Sequence, residues 1–269
     1  MEIKQMPVWQ WAPLLIAGFI LALLMYGIAG VVDLAPRGGL FCLWCGLLSA
    51  GMLLAYALVV KWWESAPAKD LPMKRCAPDT ALGLALGLGY FCVVTGVMAI
   101  AGLYHVNGTG AGPTDLLYAF CYFAVVAVGE EILFRGVLFR WIDEKWGFPV
   151  ALGVSALLFG LMHWSNPGGT LWSSVAIAVE AGLLLGAAYK WSGTLWLPIG
   201  IHWAWNFAQG NIFGFAVSGN NAGKSLLNAC VEGPDWLSGG AFGAEASVVA
   251  VVAGGALAAW FIYRIHRKN

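Results

Sequence analysis

Long apolar runs recur along almost the whole chain. They lie at about 13–32, 40–60, 81–103, 116–139, 148–163, 171–189, 195–217 and 247–263, with lengths close to the ~20 residues that an α-helix needs to cross a bilayer. In lipid each backbone N–H and C=O must be satisfied internally, so runs of this length become helices. Charged residues make up 10% of the sequence, against about 25% in a soluble domain. The expected fold class is therefore all-α, a polytopic membrane bundle of about eight transmembrane helices. Residues 1–269 are read as a single integral membrane domain, without a soluble domain or a Ser/Pro-rich linker. The first run is longer than a signal-peptide core and lacks a small-residue cleavage pattern, so it is read as a retained span.

The distribution of Lys and Arg orients the bundle. If the N-terminus is cytoplasmic, the inside segments hold Lys4, Lys61, Lys69, Lys74, Arg75, Arg140, Lys145, Lys190, Arg264, Arg267 and Lys268. The outside segments hold Arg37 and Lys224, and Arg135 lies within a span. This asymmetry favours an even number of spans with both termini cytoplasmic. Small residues let membrane helices approach closely, so Gly83, Gly87, Gly89, Gly182 and Gly186 are expected on packing faces. The 218–246 stretch is the longest outside connection and is read as ordered and partly re-entrant. Within it Glu245 is read as structural. Cys42 and Cys45 form a C-x-x-C inside an apolar run, where a pair of small buried residues is expected rather than redox or zinc chemistry.

Against this apolar background, Gly129-Glu130-Glu131-Ile132-Leu133-Phe134-Arg135 stands out. Ionisable groups inside a span cost several kcal/mol each on common scales, about 2.5–3.5 for Asp, Lys or Arg at a span centre, and mark function by default. Glu131 and Arg135 are four residues apart, share a helix face and are expected to pair. Glu130 is rotated by about 100° and is left to face a cavity. His163 follows Phe159 by four residues on the fifth span. Glu130 lies 17 residues before Gly147 and His163 lies 14 after Pro149. In an antiparallel hairpin these are roughly 26 and 21 Å from the turn, so the two side chains reach about the same level. His202 and Asn206 share one face of the seventh span and are expected to point into the bundle. Glu180, on the sixth span, either lines the same cavity or pairs structurally. His105 and His266 are expected at solvated surfaces.

These groups are the parts of a water-activating hydrolase. Glu130 is the candidate general base, and His163 orients and polarises the water. His202 and Asn206 supply donors where an oxyanion would develop. There is no G-x-S-x-G, and H-E-x-x-H is absent. Glu130, His163 and His202 could also form a His₂Glu zinc site with one open position. The preferred reading has no cofactor, with zinc as the alternative. A transporter would show inverted-repeat symmetry and broken helices in both halves, and neither is visible.

E-E-x-x-x-R, F-x-x-x-H and H-x-x-x-N, in that order on successive spans, resemble the CAAX protease and bacteriocin-processing (CPBP) family of glutamate-type intramembrane proteases. The segment Gly193-Thr194-Leu195-Trp196-Leu197-Pro198-Ile199-Gly200-Ile201-His202 is similar to that family's approach to the third motif. The resemblance covers about residues 115–210, expected to be the catalytic core. It implies an eight-helix fold with a conical, water-filled cavity open to cytosol and membrane. It implies peptide-bond hydrolysis, with Glu130 and His163 activating water, His202 and Asn206 forming the oxyanion hole, and Glu131, Arg135 and Phe159 in support. The expected partners are the lipid bilayer and a membrane-anchored or lipidated protein or peptide substrate, with no nucleic acid. A bacterial inner membrane is the expected location. The competing reading is a non-enzymatic membrane scaffold or immunity protein of the same fold.

Overall fold

The computed structural model describes residues 38–267. The first expected span and the cations Lys4, Arg37 and Lys268 lie outside the described residues. The helices are α1 (Leu40–Glu64), α2 (Met73–Ile100), α3 (Pro113–Trp146), α4 (Phe148–Ser165), α5 (Leu171–Ser192), α6 (Trp196–Phe207) and α7 (Val248–His266). All but α6 are long and apolar enough to cross a membrane. The protein is an integral membrane protein of the all-α class. Its outward faces carry the residues that lipid favours, such as Leu43, Leu47, Leu54 and Leu58 on α1.

Local chemistry sets the helix ends. Pro113 opens α3, where its missing N–H costs nothing, and the Asp115 carboxylate accepts the Gly112 N–H at 3.0 Å. The helix runs on past the apolar stretch, through the charged 140–145 segment, to Trp146. It ends at Gly147, whose φ of 84° is left-handed and favours glycine. Pro149 then sits in the first turn of α4.

Close backbone approach explains most of the expected packing glycines. On α2, a Cβ at Gly83 would lie 2.8 Å from the Gly200 Cα of α6, and one at Gly87 would lie 3.1 Å from Ala204 Cβ. Gly182 and Gly186 meet Ala156 and Leu152 of α4 in the same way. Gly89 is the exception: it faces open space, because it is turned away from α6. Tyr90 stacks on Trp205 at 4.3 Å between ring centroids and extends the α2–α6 seam.

Three π-helical segments interrupt the α-helices. Ile132–Phe139 follows Glu131 directly, Ala178–Leu183 contains Glu180, and Ala208–Ile212 follows the third motif. Such segments occur frequently at functional sites.

One small sheet was not expected from the apolar runs. β1 (Tyr104–Thr109) pairs antiparallel with β2 (Leu227–Val231), from Tyr104 opposite Val231 to Thr109 opposite Leu227, with an irregularity between Val106 and Gly108. The 218–246 connection is thus ordered, as expected. It continues through one helical turn at Asp235–Ser238 and two 3₁₀ turns, and it reaches α7 at Ser247.

The two ends of the bundle differ in charge. At one end the Arg140 guanidinium pairs with Glu64 and donates to the Tyr56 hydroxyl at 3.0 Å, Lys190 pairs with Asp143 at 2.6 Å, and Trp196 Nε1 donates to Pro72 O at 3.2 Å. Lys61, Lys69, Lys74, Arg75, Arg140, Lys145, Lys190, Arg264 and Arg267 all belong to this end. The opposite end holds the sheet and the 213–247 connection, and Lys224 is the one cation there among the described residues.

Candidate active site

The central polar cluster lies where α3, α4 and α6 meet. Glu131 and Arg135 are both fully buried and pair at 2.8 Å through Oε1 and Nη1. Arg135 Nη2 also donates to the carbonyls of Ala181 and Gly182 on α5, at 3.2 and 3.3 Å. Its guanidinium stands 4.7 Å from the Phe159 ring centroid, a cation–π contact that strengthens when desolvated. Phe159 therefore backs the ion pair, which gives the first position of F-x-x-x-H a physical role.

Glu131 Oε1 also accepts from His202 Nδ1 at 2.8 Å. Thus one carboxylate on α3 holds both Arg135 and the α6 imidazole. The spacing of residues pointed to the first partner. The second depends on the packing of α3 against α6, which no local pattern encodes.

With Nδ1 committed to Glu131, His202 turns Nε2 toward Glu130, 3.9 Å from its Oε2. That Glu130 oxygen is buried and has no hydrogen-bond partner among the described residues. An unsatisfied carboxylate oxygen at this depth costs several kcal/mol unless water or a ligand meets it. On α4, His163 donates from Nδ1 to Phe159 O at 2.7 Å, which commits one ring nitrogen and leaves Nε2 for the interior.

Glu130, His163, His202 and Asn206 all line one cavity of about 670 Å³. The hairpin argument for Glu130 and His163 holds, as does the expectation that His202 and Asn206 point inward. Glu180 is not part of this cavity. It is buried behind it and accepts from the Tyr90 hydroxyl at 2.7 Å, so it pairs structurally. His105 and His266 are exposed, and Cys42 and Cys45 are free thiols. Among the described residues no three His, Cys, Asp or Glu side chains are arranged to hold one metal ion.

The cavity wall also recruits residues that no motif signalled. Ser218, with a left-handed φ of 48°, lines the cavity and donates its N–H to Glu245. Asn166 Nδ2 donates to Ser218 O at 3.0 Å. Glu245 thereby pins the connection over the site. Burial pushes its carboxyl up from the usual range, and the Ser218 contact acts in the opposite direction. The cavity continues past Asn211 to the rim, where Asp115 and Lys224 pair at 3.3 Å.

The family model described as type II CAAX prenyl endopeptidase Rce1-like matches residues 112–208. That interval runs from the first residues of α3 to just past Asn206 and takes in all three motifs, so the CPBP resemblance falls on the residues that build the cavity floor. No curated protein and no solved structure matches the chain.

Proposed function

We propose that this chain, with its Rce1-like segment, is an intramembrane endopeptidase that hydrolyses a peptide bond of a membrane-anchored or lipidated protein. The observation that carries the reading is the convergence on one cavity of Glu130, with a carboxylate oxygen that lacks a hydrogen-bond partner, and of His163, His202 and Asn206. Asp70, Glu131 and Glu180 also carry an oxygen without a partner among the described residues, but of these four carboxylates Glu130 alone lines the cavity, beside two imidazoles, where a base that takes a proton from water must stand.

In the proposed reaction Glu130 removes a proton from a water oriented by His163. The water oxygen bonds to the scissile carbonyl carbon, and the carbonyl electrons move onto its oxygen. Asn206 donates to that oxyanion through its amide, and His202 does so when Nε2 carries a proton. The C–N bond then breaks as the carbonyl re-forms, and Glu130 returns its proton to the departing nitrogen. Glu131 is a positioning residue, since it holds His202 by Nδ1. Arg135 neutralises Glu131 and has no role at the reacting atoms.

The test is cleavage of membrane-anchored peptides by purified protein in liposomes, for wild type, Glu130→Gln and His202→Ala, each with and without a strong chelator. Loss of cleavage in both variants, with wild-type cleavage surviving the chelator, is the expected result. Loss on chelation with recovery on added zinc would replace the glutamate mechanism with a metal-centred one. Full activity in Glu130→Gln would refute the assignment of the base.

A further inference from the structure

We propose that this site is loaded from the non-cytoplasmic side, and that its substrate class is an extended segment flanking the membrane anchor of an exported protein. The substrate class rests on the endopeptidase reading above; the side of loading does not. Three observations carry it.

The first is charge. Nine of the ten cations at the two ends of the described bundle gather at one end, with Lys224 alone at the other. Cytoplasmic connections are the ones enriched in Lys and Arg, so the cationic end faces the cytoplasm. The cavity opens at the other end, away from the cytosol and so unlike the cytosol-facing cavity that the family resemblance implies. Its rim is formed by Asp115, Asn220, Asn221 and Lys224, and its floor by Glu130 and His202.

The second is closure toward the cytoplasm. Beyond Glu130 on α3, the next turns are plugged by a buried polar knot. The Tyr56 hydroxyl lies 2.7 Å from Asp70 Oδ2 and 2.9 Å from Gly136 O, within donating reach of both. Tyr189 donates to the same Asp70 oxygen at 3.1 Å, and Arg140 closes the knot from outside through Tyr56 and Glu64. Tyr56 and Phe139 are almost completely buried. A lipidated tail entering from the cytoplasm meets this plug, whereas a chain entering at the rim does not.

The third is shape. Asp115 and Glu130 are 15 residues apart on one helix, so the shaft is about 22 Å deep at 1.5 Å per residue. An extended strand rises about 3.3 Å per residue, so six or seven residues reach from rim to floor. The shaft suits an unfolded juxtamembrane segment. Its rim has one acidic and one basic side chain, already paired with each other, and so has little to select for a charged tail.

The experiment reads sidedness and cleavage separately. Asn221, at the rim, and Lys69, at the cationic end, are both exposed. Each is changed to Cys in the whole chain carrying Cys42→Ser, Cys76→Ser and Cys230→Ser, and intact cells are treated with a membrane-impermeant maleimide. Trp236→Cys, on the same side as the rim, serves if Asn221→Cys does not accumulate. Labelling of Asn221→Cys or Trp236→Cys in intact cells, with Lys69→Cys labelled only after permeabilisation, is the expected result. The reverse pattern overturns the proposal. Two reporters then carry one peptide segment on either the outer or the cytoplasmic flank of the same anchor. Cutting of the outer-flank reporter alone, lost in Glu130→Gln, supports the substrate class. Glu130-dependent cutting of the cytoplasmic-flank reporter alone overturns it and spares the endopeptidase reading. If neither reporter is cut in a Glu130-dependent way, the endopeptidase reading and the substrate class fall together, and the labelling still decides the side of loading.

Discussion

Arg135→Met is the substitution whose consequence is best worked out from the structure. The guanidinium is fully buried and pairs with Glu131 at 2.8 Å, on the oxygen that His202 Nδ1 also meets. Methionine replaces most of the stem's volume and adapts to irregular gaps, so little cavity is left. What remains is a buried carboxylate with its counter-charge removed, and breaking a buried pair from one side costs about 3–5 kcal/mol. Arg135 also donates to Ala181 O and Gly182 O; losing charged-donor bonds of about 1.5–3 kcal/mol each, before water compensates, puts the expected loss at the upper end of that range. In the double variant Glu131→Gln/Arg135→Met the stranded charge is gone, and the cost should fall by about 2 kcal/mol or more, since replacing both partners of a buried pair is often close to neutral. The assay is reversible unfolding in mixed detergent micelles, with the four corners of the double-mutant cycle measured together. A single-variant loss below about 1 kcal/mol, or a double variant no better than the sum of the singles, would refute the view that Arg135 exists to neutralise Glu131.

Asn206→Ala should lower kcat by about 10²–10³ with little change in KM, the signature of a lost oxyanion donor; single-turnover cleavage checks it. Glu131→Gln should also slow cleavage by freeing the His202 ring, while leaving Glu130 in place, and a KM effect without a kcat effect would count against positioning. Gly83→Ala should destabilise the bundle by about 1–3 kcal/mol, because the new Cβ meets α6 backbone at 2.8 Å; micelle unfolding reads this. Tyr90→Phe removes the donor at 2.7 Å from buried Glu180 and should cost about 1–3 kcal/mol of stability, with cleavage of the protein that remains folded unchanged.

The membrane character of the chain and nearly all the helices could be read from the sequence, because spans follow from run length and the backbone's need to satisfy itself in lipid. The Glu131–Arg135 pair was legible for the same kind of reason: it is local, four residues apart on one helix. The level of Glu130 against His163 followed from counting residues to a shared turn. Everything that depends on how distant helices pack was decided only in the tertiary structure. The His202–Glu131 contact spans 71 positions, the Glu180–Tyr90 contact spans 90, and the β1–β2 pairing brings Tyr104 opposite Val231. The π segments put more residues into a turn than the 3.6 that the sequence argument assumes. The sequence alone thus determined which residues are too polar for their surroundings. Only packing decided that Glu131 Oε1 would meet both Arg135 and His202 while Glu130 would face the cavity, because a partner's identity depends on which helix faces are brought together, and no residue encodes that by itself.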